Sequence, residues 1–154
     1  MEMEQIFRAE LDASASNDKR RTADAIPEAC MVPSKVLNMA AFVPAKDYEL
    51  SRRFYSDLGF HENWGNEQAC ELELEGHRFI LQKFYVKDHA GNFMMSLMVE
   101  DADKWWEHIQ ARDLVKKYDL AMARPPALQP WGLRVLYLSD PTGVLWHIAD
   151  RPKS

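Results

Sequence analysis

The residues best able to bind a metal ion or act as a nucleophile are scattered along this sequence. Cys30 and Cys70 lie far apart and form no C-x-x-C or Cys/His pattern, which argues against a disulfide framework or a structural zinc site. Cys70 alternates with Leu72 and Leu74, so we expect a buried structural thiol rather than a catalytic one. No two histidines have the i, i+4 spacing that places a pair of ligands on one helix face. The histidines are His61, His77, His89, His108 and His147.

Length and charge exclude several classes of function. The 154 residues suffice for one domain with a substantial core. The net charge of −5 argues against nucleic-acid binding, which needs a basic face. No run approaches the roughly 18 apolar residues of a membrane-spanning helix, and the N-terminus lacks an apolar signal core. We therefore expect a cytoplasmic protein with neither a membrane nor a nucleic-acid partner.

After residue 34, the first part of the chain, up to residue 85, predicts secondary-structure elements in the order β-α-β-β-β. The apolar run 36–43, ended by Pro44, predicts a strand buried on both faces. Asp47 is a good helix N-cap, and Gly59 is a good helix stop. Between them, apolar residues recur at four-residue spacing: Leu50, Phe54 and Leu58. Three short strands are predicted next, over 60–64, 70–75 and 78–85.

The same order then repeats. The run 93–99 predicts a strand, and either Asp101 or Asp103 caps a second helix. A short strand is predicted over 118–124, and Pro125 and Pro126 predict a loop. The helix has an apolar side formed by Ala102, Trp105, Ile109 and Leu114. An internal repeat of this size indicates an α+β fold built from two βαβββ modules.

The last stretch predicts a β-hairpin. The residues 135–138 favour a strand, and Asp140-Pro141-Thr142-Gly143 has the Asp, Pro and Gly positions of a type I turn. A second apolar run follows immediately. This hairpin resembles the one that closes members of the vicinal-oxygen-chelate superfamily. Two further segments carry the resemblance: Leu128-Gln129-Pro130-Trp131-Gly132 before the hairpin, and Arg53-Phe54-Tyr55-Ser56-Asp57-Leu58-Gly59-Phe60 in the first module. That superfamily includes glyoxalases, extradiol dioxygenases and bleomycin resistance proteins, and the last branch is the most similar. The resemblance covers roughly residues 36–150 and implies a glyoxalase-like fold with a concave mixed sheet.

Catalytic members of this superfamily hold a divalent metal on that concave sheet. The resemblance places the four ligand positions on Ala40, on Leu81 or Gln82, on Met94 and on His147. Only His147 is a strong ligand, and stable binding generally takes three or four. We therefore expect no metal, no cofactor and no catalytic residue, with a non-standard enzyme site around His147 as the alternative.

The alternation of side chains along the strands predicts an apolar pocket with a few polar side chains, on the face of the sheet that carries the metal in the enzymes. His147 is either a hydrogen-bonded strand histidine or a polar group lining the pocket. Trp131 either packs in the core or stacks on a planar or cationic ligand, as the resemblance implies. The predicted ligand-binding residues are Asn38, Phe42, Gln82, Met94, Ser96, Met98, Trp131, Tyr137 and His147.

Two further features are open to more than one interpretation. Glu71, Glu73 and Glu75 alternate with apolar residues and form either a solvated strand face or an acidic wall that attracts a cationic ligand.

Residues 1–34 are interpreted as an N-terminal extension before a domain over 35–154. An alternative interpretation of the extension is an arm that crosses to a second subunit, because its apolar residues have no evident partner. These residues are Ile6, Phe7 and Leu11.

These observations lead to three hypotheses. The first is a metal-free homodimer of the bleomycin resistance type, which sequesters a planar, cationic antibiotic or metabolite in clefts between subunits. The second is a metal-dependent glyoxalase- or dioxygenase-type enzyme with a non-standard site. The third is a regulatory or scaffolding domain with a vestigial cavity. Metal content separates the first two, and a stabilising small ligand argues against the third.

Overall fold

The computed structural model describes residues 33–152. All the helices and strands of the described part lie in the compact unit that begins at Ala40. The predicted N-terminal arm and Cys30 fall outside the described residues. The strands are β1 (Phe42–Pro44), β2 (His61–Gly65), β3 (Ala69–Leu74), β4 (His77–Gln82), β5 (Met94–Met98), β6 (Ala123–Leu128), β7 (Arg134–Ser139) and β8 (Leu145–Asp150). The helices are α1 (Tyr48–Leu58), α2 (Lys87–Ala90), α3 (Ala102–Ala111) and α4 (Leu114–Lys117).

The strands form two four-stranded mixed sheets with the same topology. The first sheet has the order β1-β4-β3-β2 and the second the order β5-β8-β7-β6. In each sheet the first strand pairs in parallel with the fourth, and the remaining neighbours are antiparallel. The predicted fold of two βαβββ modules is therefore confirmed. Among residues 33–152, no helix is long and apolar enough to span a bilayer.

The first strand is much shorter than predicted. Only Phe42–Pro44 pairs with β4, and the preceding apolar residues Val36, Leu37 and Met39 are 65%, 89% and 90% exposed. The prediction of a buried strand over 36–43 was wrong, because an apolar run becomes a strand only where a neighbouring strand pairs with it. Asn38 consequently lies in an irregular, exposed segment and not on a strand.

The sixth strand lies farther along the chain than predicted. Both Pro125 and Pro126 belong to β6, and the register with β7 shifts between Arg124 and Ala127. The prediction of a strand over 118–124 followed by a proline loop was therefore wrong. β6 is an edge strand, where proline at a bulge removes no hydrogen bond that the sheet needs.

Both long helices begin at the aspartates that cap them. The Asp47 carboxylate accepts a hydrogen bond from the Leu50 amide, and Asp101 accepts from the amides of Asp103 and Lys104. Asp101, and not Asp103, is thus the cap of α3. Helix α1 packs against the first sheet and α3 against the second. The buried face of α1 consists of Tyr48, Ser51, Phe54, Tyr55 and Leu58.

Replacing Asp101 with alanine is expected to lower the free energy of unfolding by about 1 kcal/mol, because two amides at the start of α3 lose their acceptor. Urea unfolding measures the change. Asp101→Asn is the control, since asparagine caps helices about as well as aspartate. An equal loss in both variants would contradict a capping role.

The turn at Asp140 connects β7 to β8 and is hydrogen-bonded to the first module. One carboxylate oxygen of Asp140 accepts hydrogen bonds from the amides of Thr142, Gly143 and Val144, at 2.8–2.9 Å. The other accepts from the Tyr55 hydroxyl of α1 at 2.8 Å. Asp140 is 1% exposed. Gly143 has φ = 102°, a conformation that favours glycine, so the predicted turn chemistry is confirmed.

The aromatic core is continuous across both modules. Trp146 of β8 donates to the Tyr55 hydroxyl at 3.1 Å and packs against the rings of Phe60 and Phe79 from the first module. Ring centroids in this cluster are 5.0–5.9 Å apart, mostly in edge-to-face geometry. One side of β8 is thereby fixed in the core, which leaves His147 on the other side.

Candidate ligand-binding face

The second sheet has one face packed on helices and one face that the helices leave uncovered, here called the open face. Alternation puts Trp146 and Ile148 into the core and His147 on the open face. The strand register then assigns the residues that share this face with His147. They are Met94, Ser96, Met98, Leu145, Ala149, Val135, Tyr137, Ser139, Arg124 and Ala127.

A polar row crosses the middle of the open face. In strand order it consists of Ser96, His147, Tyr137 and Arg124, each paired with the next across the sheet. His147 is 5% exposed, and its ring meets that of Tyr137 edge to face, with centroids 4.8 Å apart. Burial lowers the pKa of His147 below its usual range, so the imidazole is neutral at pH 7. The row therefore offers a neutral imidazole, two hydroxyls and a guanidinium.

Apolar rows flank the polar one. Met98 pairs with Ala149 and Met94 pairs with Leu145, and the two methionine side chains are 48% and 47% exposed. Methionine adapts its shape to irregular ligands. The predicted residues Met94, Ser96, Met98, Tyr137 and His147 therefore share one face of one sheet.

A cavity of about 360 Å³ lies at the β6 side of this face. Tyr137 and Arg124 of the polar row line it, together with Met122, Pro125, Ala127, Gln129, Val135 and Leu145. Most of these side chains are apolar, which is the usual composition of a site for a small organic molecule.

Trp131 lies in the turn between β6 and β7. Gln129 and Leu133 close this turn through a backbone hydrogen bond of 2.8 Å, and Gly132 has φ = 92°. Gln129 lines the cavity, whereas Trp131 does not, and its indole is half-buried with its nitrogen enclosed. Contact between Trp131 and a ligand stays a prediction.

The remaining candidates belong elsewhere. Phe42 and Gln82 lie on the same face of the first sheet, because Phe42 pairs with Ile80, two residues before Gln82. Phe42 is 55% exposed. Ala40 precedes β1 and is half-buried, and Asn38 lies in the exposed segment before it. The structure does not place these residues in the second sheet with His147.

The acidic strand of the first sheet has its own polar partners. Glu71 and Glu73 lie opposite the core face of β3, as predicted, whereas Glu75 lies in the following turn at φ = 49°. The Asn63 amide donates to Glu71 at 3.0 Å and to Glu73 at 2.7 Å, and the Arg78 guanidinium lies 2.8 Å from Glu73. These contacts, that of Asn63 first, hold the pKa of Glu73 below its usual range. The two carboxylates are thus engaged within the sheet.

The donor set around His147 does not fit the divalent metal of the catalytic relatives. Its neighbours across the sheet are Ser96 and Tyr137, and the other ligand positions implied by the resemblance carry Ala40, Met94 and either Leu81 or Gln82, of which only Gln82 is even a weak ligand. Within residues 33–152, no three His, Cys, Asp or Glu side chains are arranged to hold a metal ion.

Arg124 is a site residue that the sequence analysis missed. Its position follows from the register shift at the two prolines, which places it opposite Tyr137. The available signal was the hairpin itself: a strand antiparallel to 134–139 must end just before the turn at 129–133, and a six-residue strand ending there includes Arg124. The shift at the prolines then decides that Arg124 lies opposite Tyr137.

Comparisons with known proteins identify the same fold. The family model of the Glyoxalase/Bleomycin resistance protein/Dioxygenase superfamily matches residues 36–148. A bleomycin-binding protein from Streptomyces verticillus, solved with copper(II)-bleomycin, is 21% identical with a TM-score of 0.63, covering 78% of this chain and 99% of that one. An antibiotic-binding protein from Streptomyces sp. CB03234 is 20% identical with a TM-score of 0.61, covering 77% and 99%. A lactoylglutathione lyase from Agrobacterium tumefaciens is 13% identical with a TM-score of 0.54, covering 75% and 95%. A search of curated proteins found no match.

Proposed function

Because the chain belongs to the Glyoxalase/Bleomycin resistance protein/Dioxygenase superfamily, we propose that it is a cytoplasmic protein that binds a small planar molecule on the open face and sequesters it without converting it. The observation that carries this proposal is the polar row of the second sheet. Neutral polar groups there lie between exposed methionines and beside a cavity of about 360 Å³. Such a surface orients a ligand by a few hydrogen bonds and holds it by apolar contact.

Binding is favoured over catalysis by the chemistry of these side chains. A general acid–base pair needs two titratable groups within hydrogen-bond reach of the reacting atoms. Beside His147 in the sheet lie Ser96, which does not titrate near neutral pH, and Tyr137, whose pKa burial raises above its ordinary value of 10.0 and so away from the pH at which a general acid or base is effective. A metal-assisted reaction needs ligands that the positions of Ala40 and Met94 do not supply.

A second copy of the chain is the proposed cover for the ligand. Met94 and Met98 of the open face are 47% and 48% exposed, although such side chains are usually withdrawn from water. Small-molecule sites bury most of the ligand surface, and one open sheet face covers only one side of a planar molecule. A homodimer with the ligand in the cleft between subunits would bury both the ligand and these side chains. Planar antibiotics or metabolites are the proposed ligands, since two of the similar solved proteins bind antibiotics.

A thermal-shift titration with a bleomycin-class glycopeptide, on protein whose metal content has been measured, tests this function. At a hundredfold the dissociation constant, a ligand stabilises the fold by about 2.7 kcal/mol. Ser96→Trp is expected to abolish the shift, because the indole would fill the open face at an exposed position in the polar row. Gln110→Trp, on the exposed side of α3, is the control and should bind normally. Trp131→Ala reports on whether the β6–β7 turn contacts the ligand.

The outcomes discriminate between the hypotheses. Equal shifts in wild type and Ser96→Trp would place the ligand elsewhere and contradict the proposal. Stoichiometric bound metal that disappears in His147→Gln would favour the enzyme. If no shift occurs with the glycopeptide or with the planar probes described below, sequestration on this face is wrong.

A further inference from the structure

We propose that the ligand of the open face is a planar organic anion, such as an aromatic carboxylate, and that Arg124 binds its acidic group. This inference rests on the proposed function, and it replaces the cationic ligand that Glu71, Glu73 and Glu75 suggested with an anionic one.

Arg124 is positioned by the edge strand of the sheet. It pairs with Tyr137 across the β6–β7 ladder, and both residues line the cavity of about 360 Å³. Pro125 and Pro126 follow at once, and proline fixes the backbone angle φ and so limits the freedom of the strand beside Arg124. The guanidinium is therefore attached to a restrained segment at the end of the polar row.

The charges of the open face are of one sign. None of the residues that the register places on this face is an aspartate or glutamate. His147, in the same row, is neutral at pH 7 because it is buried. An anion bound beside Tyr137 would thus meet one cation and no carboxylate, whereas a cation there would meet a like charge and no opposite one.

Arg124 also differs from the arginines that stabilise the fold. Arg52, Arg78 and Arg134 each lie within 4.0 Å of a carboxylate, at Glu62, Glu73 and Asp103 respectively. Among residues 33–152, no carboxylate lies within ion-pair distance of Arg124. Its five donors thus remain available for a bidentate contact with a planar acid.

The first sheet does not offer the opposite charge. Glu71 and Glu73 accept hydrogen bonds from Asn63, and Glu73 is ion-paired with Arg78. A cationic ligand would have to displace these contacts, so the glutamates are poor evidence for one. A charged residue on an edge strand can also serve only to prevent strand pairing between molecules. The experiment separates that role from ligand binding.

Three probes with the same planar ring and different charges test the inference. They are 2-naphthoate, the neutral 2-naphthamide, and the cationic 2-(aminomethyl)naphthalene. Calorimetric titration of the full chain at pH 7 and low salt is expected to show that 2-naphthoate binds about tenfold more tightly than 2-naphthamide, and the amine more weakly than both. Arg124→Gln should bring 2-naphthoate to the affinity of the amide. The matched control is Arg53→Gln, which removes an exposed arginine from the helical layer and should keep the preference.

The possible results distinguish failure of anion selection by Arg124 from failure of the proposed function. If the amide binds, Ser96→Trp abolishes its binding, and 2-naphthoate gains nothing over it, the site exists but Arg124 does not select anions. A preference for 2-naphthoate that persists in Arg124→Gln also overturns the inference. If none of the three probes binds and the glycopeptide also fails, the proposed function is wrong and the inference is overturned with it.

Discussion

Removing the hydroxyl of Tyr55 is expected to lower the free energy of unfolding by about 2–4 kcal/mol. In Tyr55→Phe, a carboxylate oxygen of Asp140 loses its donor and the indole nitrogen of Trp146 loses its acceptor. Tyr55 and Asp140 are at most 1% exposed and Trp146 is 2% exposed, so water cannot readily replace the missing hydroxyl. Urea unfolding followed by tryptophan fluorescence measures the loss.

Tyr118→Phe is the matched control for this change. The Tyr118 hydroxyl donates to Asp57, but that carboxylate is partly exposed and also binds Lys117 at 2.6 Å. Its loss is expected to cost no more than about 1.5 kcal/mol. Equal losses in the two variants would mean that the buried network between the modules adds nothing beyond an ordinary hydrogen bond.

Acidification from pH 7 to pH 4 is expected to strengthen the contribution of Asp140 to stability by about 2 kcal/mol. Burial raises the pKa of Asp140 from its ordinary value of 3.8 to about 6. Between these values the folded protein holds a proton that the unfolded chain releases. The sign is therefore opposite to that of a salt-bridged carboxylate: stability rises as the pH falls through 6 and is lost as the pH rises again.

His147 opposes this effect in part of the same range. Burial lowers its pKa from 6.5, so below that pH the unfolded chain binds a proton that the folded protein does not hold, and stability falls with acidification. Free energies of unfolding at pH 7, 6 and 5 separate the two groups. Asp140→Asn should lose the gain on acidification, and His147→Gln should show a larger gain than wild type. Parallel curves for wild type and Asp140→Asn would show that Asp140 does not titrate in this range.

The features that sequence reasoning recovered are those with local causes. Asp47 and Gly59 determine the ends of α1 through backbone hydrogen bonding and a positive φ. Asp140 and Gly143 form their turn within four residues, which fixes the hairpin and therefore the side of the sheet on which His147 lies. Because parity within one strand is also local, Met94, Ser96 and Met98 were correctly assigned to a common face.

The features that it missed depend on distant partners. The apolar residues 36–41 satisfy the pattern of a strand, but β4 pairs only with Phe42–Pro44. Pro125 and Pro126 satisfy the pattern of a loop, but an edge position lets them stay in β6. Arg124 was overlooked for the same reason, since its opposition to Tyr137 depends on a bulge that no local pattern encodes.

The aromatic cluster around Trp146 has a consequence for how this duplicated fold is lost. Because Trp146 of the second module packs on Phe60 and Phe79 of the first, neither half can open without exposing the core of the other. We therefore expect the two halves to unfold together in one cooperative transition, although the topology is that of a repeat. A βαβββ half cut from this chain would therefore lack the contacts that complete its core.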